Sequence, residues 1–195
     1  DETRLRKDFP ARFVERDFIH WDPAARALQA RREVRFDKII LESKPAGRID
    51  PALARARGEK RAALIVFVTA GDPDLATTAE LIPELAAAGA DVIELGIPHS
   101  DPIGEGPTIQ VSSQRALARR TSLSQILDLV RRVRAVSDVP LVLMGYLNNV
   151  LAYGEERLAR DAAASGADGL IVSDVPFEET ATLSRACAEH GVQRV

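Results

Sequence analysis

Between Val92 and Gln110 the sequence reads V-I-E-L-G-I-P-H-S-D-P-I-G-E-G-P-T-I-Q. Four residues, Val92 to Leu95, have the apolar character of a buried strand, yet Glu94 lies within them. A charged group inside a buried strand costs several kcal/mol unless it is paired, protonated or in use. Gly96 and Pro98 end the strand, and the following loop carries a second carboxylate, Glu105, between Gly104 and Gly106. Glycine on both sides lets backbone approach a ligand closely. One carboxylate at a strand end and another in the next loop can face the same pocket. At the C-terminal mouth of an α/β sheet or barrel, that arrangement suits acid–base chemistry.

Apolar strands and amphipathic helices alternate along the rest of the chain. Asp50-Pro51 opens a short helix that ends near Gly58. Ala63 to Thr69 is a continuous apolar run, as expected of a strand buried on both faces. A helix follows from about Leu75 to Ala88, with Pro83 inside it as a kink or an interruption and Gly89 as its stop. Helices are predicted over about Thr108–Ala118 and Leu123–Ala135, the second with apolar residues at helical spacing and Thr121 or Ser122 as cap. Strands are predicted over Pro140–Met144 and Gly169–Val172, with a loop or short turn at Asn148–Ala152 and a helix over Glu155–Ser165. Glu178–Glu189 reads as a further helix, and Val192–Val195 as the start of another strand. The run Ala88-Gly89-Ala90-Asp91 is echoed by Ser165-Gly166-Ala167-Asp168, each ahead of an apolar strand. Such a turn leads from a helix into a parallel strand, as in (β/α)₈ barrels. A complete barrel takes about 250 residues; the first four βα units and the start of a fifth strand are expected here.

Composition narrows the classes. The chain is 46% hydrophobic and 28% charged, which is ample for a core. A net charge of −3 gives no reason to expect nucleic acid or an anionic membrane as partner. No apolar run approaches the ~18 residues of a membrane-spanning helix. One cysteine, Cys187, excludes an internal disulfide, reads as core on its helix, and fits a reducing cytoplasm. His20 and His190 are isolated and no Cys/His cluster has ligand spacing, so no metal is expected. The chain starts at Asp1 rather than Met, which suggests a partial or trimmed chain.

Residues 1–47 differ from 48–195 and read as a separate extension. They hold Trp21 and four of the six phenylalanines, with eleven Lys/Arg against nine Asp/Glu, whereas 48–195 has fifteen against twenty. Asp22-Pro23 predicts a helix start, with the helix running to about Glu33, and Val34–Leu41 a short strand. A poorly packed extension or sequence from a neighbouring gene is one reading. A docking arm using Phe18, His20 and Trp21 is another.

Four ordered motifs resemble one family. E-L-G-I-P-x-S-D-P with G-P-T-I-Q, F-V-T-A-G-D-P at Phe67–Pro73, L-M-x-Y-x-N at Leu143–Asn148 and D-G-L-I-V-S-D-V-P at Asp168–Pro176 are similar to the tryptophan synthase α subunit, from about Arg48 onward. The resemblance implies a TIM barrel and a lyase that cleaves indole-3-glycerol phosphate to indole and glyceraldehyde 3-phosphate, with no cofactor of its own. It implies Glu94 as the general acid/base and Glu105 as the carboxylate that binds the indole nitrogen, where the family more usually has aspartate. It implies Phe67 and Tyr146 as walls for the indole ring, and Asp174, like Asp72, as a group that orients neighbouring loops. It implies a pyridoxal-phosphate-containing β subunit as partner, met by Pro98, His99 (where an aromatic is usual) and Asp101. The family's phosphate grip and mobile lid follow later strands than these residues reach. A fragment that keeps only the docking role is the alternative.

Overall fold

The computed structural model describes residues 13–22, 27–36, 47–176 and 179–195, the first two segments by backbone alone. The chain divides into two compact units, 1–41 and 42–195, each considered by itself.

In the first unit, β1 (Phe13–Asp22) and β2 (Ala27–Phe36) form an antiparallel two-stranded ladder, with Phe13 opposite Phe36 and Asp22 opposite Ala27. This corrects the helix expected from Asp22 to Glu33. Ala, Leu, Gln and Arg within β2 favour a helix locally, but cross-strand pairing satisfies the backbone of both segments at once and overrides that weak preference. Of the strand expected over Val34–Leu41, the portion up to Phe36 belongs to β2, and 37–41 lies outside the described residues. The side chains of Phe18, His20 and Trp21 also lie outside the description.

The second unit is built on one parallel sheet in the order β3 (Ile65–Thr69), β4 (Val92–Gly96), β5 (Leu141–Gly145), β6 (Gly169–Val172), β7 (Gln193–Arg194). Helix α1 (Ile49–Gly58) precedes β3, and α2 (Leu75–Ala87) links β3 to β4. Two helices, α3 (Pro107–Ala118) and α4 (Leu123–Arg134), link β4 to β5. Another pair, α5 (Leu147–Tyr153) and α6 (Glu155–Ser165), links β5 to β6. Finally α7 (Ala181–His190) links β6 to β7. Sequential parallel strands joined through helices are the βα pattern expected.

Period-two alternation sorts the sheet's side chains. Ile93, Leu95, Leu141, Leu143 and Leu170 point to the helices and are fully buried with Ile126, Leu127, Val130, Leu158 and Leu183. Each such side chain contributes about 1.5–3 kcal/mol on burial. The opposite face carries Val92 and Val142, covered by Ile49 and Leu53 of α1 near the start of the strands. Register places Phe67, Glu94 and Val142 side by side on this inner face, and Thr69, Gly96 and Met144 in the row above.

Four local expectations are corrected. The first strand begins at Ile65 rather than Ala63 and is not buried on both faces, since Leu64 and Ile65 are 51% and 53% exposed. It is the first strand in the sheet order, so on one side it has no ladder partner among the described residues. Asn148–Ala152, expected as a loop or short turn, lies within the helix α5. The Leu147 N–H that opens this helix is satisfied by the Asp174 carboxylate from the next βα unit, 2.6 Å away, so its cap comes from tertiary structure. Of the two readings of Pro83, a kink or an interruption, the interruption is not found, since α2 runs through it. The last helix begins at Ala181; of its expected start, Glu178 lies outside the described residues.

Candidate active site

The C-terminal ends of β3, β4 and β5 meet the loop between β4 and α3. Phe67, Glu105, His99 and Tyr146 line one narrow cleft there, together with Thr69 and Met144. Four residues singled out from the sequence are thus brought together from three βα units. Glu94 is not in the cleft wall. It stands on the inner face next to Phe67 in register, half-buried. Burial pushes its carboxyl above the usual carboxylate range, and the negative charge of Glu105 pushes it further the same way. A carboxyl held protonated nearer neutrality can both give and accept a proton.

Gly96 makes this geometry possible. A Cβ there would lie 2.4 Å from Cζ of Phe67, so the bare backbone is what lets the phenyl ring lie across β4 and reach the cleft. Tyr146, 6% exposed, follows β5 directly, in extended conformation, as the N-cap of α5. Its ring stacks on His99 with centroids 4.6 Å apart and planes 26° apart, and its hydroxyl accepts the Gly104 N–H at 3.2 Å.

The β4–α3 loop is held at several points. The Glu105 N–H donates to the Pro102 carbonyl at 3.0 Å, and the Gln110 side chain donates to the Glu105 carbonyl at 2.9 Å. Pro107 occupies the first turn of α3, where its missing N–H costs nothing. At the mouth of β3, Asp72 forms a paired contact with Arg115 of α3, both bonds at 2.7 Å, which holds the Asp72 carboxyl below its usual range. The Thr69 and Ser112 hydroxyls lie 2.7 Å apart and join β3 to the same helix. Asp174 is exposed and outside the cleft, with its carboxylate on the Leu147 N–H. Of the residues expected to meet a partner, Asp101 is exposed, Pro98 is buried, and His99 is turned inward onto Tyr146.

Thr69, Gly96 and Gln110 were not singled out from the sequence. Gln110 closes the G-P-T-I-Q run and Gly96 ends the glutamate-bearing strand, so each carried a local signal. Thr69 lies within the F-V-T-A-G-D-P motif but has no signal of its own there.

A larger hollow of about 430 Å³ lies at the opposite ends of the strands, among Gly47, Arg48, Pro51, Arg55, Asp91 and Asp138. Its arginines are engaged, Arg48 with Asp168 and Asp138 and Arg55 with Asp91. In a barrel this is the end that carries stability rather than chemistry.

Among the described residues no helix is long and apolar enough to cross a membrane. The sequence model of the family described as tryptophan synthase alpha chain matches residues 53–195. A separate model, the connector region of the ATP-dependent RNA helicase HrpB, matches residues 12–46, and the two do not overlap. The tryptophan synthase alpha chain of Geobacter sulfurreducens is 56% identical over 146 residues, which cover 74% of this chain and 55% of that one. The alpha chain of Citrifermentans bemidjiense is 56% identical over 144 residues, 74% of this chain and 53% of its own length. The chain therefore spans about half the length of these curated relatives. Among solved structures, the tryptophan synthase subunit alpha of Legionella pneumophila superposes with a TM-score of 0.74 at 41% identity, covering 77% of this chain and 58% of that one. A tryptophan synthase chain from M. tuberculosis gives 0.73 at 35% identity, with 77% and 60% covered. The βα units from α1 to β7 are the corresponding part of a TIM barrel, and the chain belongs to the tryptophan synthase alpha chain family.

Proposed function

We propose that this site serves a lyase reaction, the retro-aldol cleavage of indole-3-glycerol phosphate to indole and glyceraldehyde 3-phosphate in tryptophan biosynthesis. The observation that carries the reading is the electrostatic coupling of two carboxylates, one on the inner face of β4 and one in the loop that follows it. Glu94 is raised by burial and by Glu105, while Glu105 lines a cleft with Phe67 and Tyr146.

The chemistry asks for two such groups. Breaking the bond between the indole ring and the glycerol side chain requires a proton on the ring carbon, so that the bonding electrons have somewhere to go. Glu94 in its protonated form supplies that proton, and positive charge develops on the ring nitrogen. Glu105 accepts the ring N–H and stabilises the charge by a charge-assisted hydrogen bond. Loss of the proton from the side-chain hydroxyl next to the ring then drives carbon–carbon cleavage and leaves an aldehyde. A carboxylate that has just given up its proton can take that one back, so the cycle closes without net proton uptake. Phe67 and Tyr146 supply aromatic walls for the planar ring. None of these steps calls on a metal or an organic cofactor. The product indole would pass to a β subunit docked near Asp101, in the cytoplasm.

The test is indole release from indole-3-glycerol phosphate by the purified chain, with and without a β subunit, and with Glu94→Gln as control. Indole formation that Glu94→Gln abolishes supports the reading. No indole under either condition overturns it for this chain and leaves at most a docking role.

A further inference from the structure

We propose that the Tyr146 hydroxyl is a positioning group: by accepting the Gly104 N–H it determines where the Glu105 carboxylate stands relative to Glu94. The proposal rests on the reading of Glu94 and Glu105 as the working pair, and it assigns Tyr146 a task beyond that of an aromatic wall.

Three observations support it. The hydrogen bond joins the end of β5 to the residue immediately before Glu105. The ring bearing the hydroxyl is itself held, buried and stacked on His99. The backbone that leads into the ring is held too, because Asp174 takes the N–H of Leu147, one residue on. A relay of contacts thus runs from the β6 mouth through Leu147 and Tyr146 to Gly104 and so to Glu105. A phenylalanine would fill the same space; what the tyrosine adds is an acceptor for a loop amide.

The loop needs that anchor. It runs from Ile97 to Gly106 without a helix or strand, and glycines on either side of Glu105 widen the range of conformations that must be given up on ordering. A glutamate also has one more rotatable bond than an aspartate, so the position of its carboxylate depends more heavily on a fixed backbone. Gln110 holds the Glu105 carbonyl from the helix side, and Tyr146 holds the preceding amide from the sheet side. A displacement of about 1 Å at a catalytic group can cost on the order of 100-fold in rate.

The experiment reads Glu105 through its neighbour and requires no turnover. The Glu94 side-chain carboxyl is titrated by NMR in the full chain and in Tyr146→Phe, Glu105→Gln and the double variant. Tyr146→Phe is expected to move the Glu94 titration down, toward the Glu105→Gln value, because the loop charge is no longer held near. In the Glu105→Gln background the same change is expected to have no further effect. Amide exchange in the unmodified chain gives an independent readout. Gly104, although exposed, should exchange more slowly than the same amide in the unfolded chain, and Tyr146→Phe should speed its exchange by about tenfold, the worth of one hydrogen bond. An unshifted Glu94 in Tyr146→Phe, an equal shift in both backgrounds, or an unprotected Gly104 amide overturns the proposal. Because neither readout uses catalysis, a chain without lyase activity can still pass, and an active chain can still fail. Where indole is released, Tyr146→Phe should lower kcat with KM little changed, since the ring that walls the substrate remains.

Discussion

The carboxylate of Asp168 accepts the main-chain N–H of Leu141 at 2.9 Å, and so ties the start of β6 to the start of β5. The same carboxylate takes Arg134 at 2.9 Å and Arg48 at 3.0 Å. Asp91 repeats the device two strand pairs earlier, accepting the Leu64 N–H at 2.9 Å and pairing with Arg61. Both aspartates close the echoed turns, after glycines at φ +110° and +93° that only a residue without Cβ adopts readily. The repeat visible in the sequence is therefore a repeated clasp between neighbouring parallel strands.

Asp168 is 4% exposed, and its removal leaves the largely buried Arg134 side chain without this counter-charge. Asp168→Ala should lower the stability of the second unit by about 3–5 kcal/mol, the usual cost of breaking a buried pair from one side. Urea unfolding followed by helical circular dichroism checks this. A loss below 1 kcal/mol would mean that water replaces the clasp.

The Arg61 guanidinium, with the Leu64 N–H, holds the Asp91 carboxyl well below the usual carboxylate range. A depressed native value means that the unfolded chain takes up the proton first as acid is added. The stabilisation is fully present above the ordinary aspartate value of about 3.9 and is lost as pH falls through the lower native value. Asp91→Asn should flatten that acid limb in a series of urea midpoints and leave its shape above about pH 5 unchanged.

Glu94 has the opposite sign. Its carboxyl is raised, first by burial and then by Glu105, so the fold binds its proton more tightly than the unfolded chain does. Its contribution is fully present below the ordinary glutamate value of about 4.3 and is lost as pH rises through the higher native value. Glu94→Gln should remove this decline, and Glu105→Gln should lessen it. A stability profile indifferent to both changes would contradict the raised value.

Gly96→Ala places a methyl 2.4 Å from the Phe67 ring. The ring must move, at a cost of about 1–3 kcal/mol for overpacking. Combining the change with Phe67→Leu should recover most of the stability, because the atom that clashes is gone. Thermal unfolding of the four variants as a cycle measures the coupling; simple additivity would show that the two side chains do not compete for space.

Much of the βα order was legible because parallel strands and their covering helices announce themselves locally. The helix over Glu155–Ser165 and the strand over Gly169–Val172 fall where the periodicity puts them. Where local preference and long-range pairing disagreed, the reading failed. Ala27–Phe36 has a helix-former's composition and pairs as a strand. Asn148–Ala152 reads as a loop or short turn because the helix that contains it, Leu147–Tyr153, has its first N–H capped by Asp174, twenty-seven positions away.

For the site, the sequence by itself determined the chemistry available. Glu94 within an apolar strand and Glu105 between glycines follow from residue type and spacing, and the aromatic residues Phe67 and Tyr146 from the family resemblance of their motifs. Only the tertiary structure decided their mutual arrangement. Register set Phe67 beside Glu94, the missing Cβ of Gly96 let the Phe67 ring cross the strand, and the Tyr146 hydroxyl reached Gly104 across forty-two positions. Residue type carries charge and polarity, which are local properties. Distance and burial arise when separate segments pack, and those two quantities raise the Glu94 carboxyl.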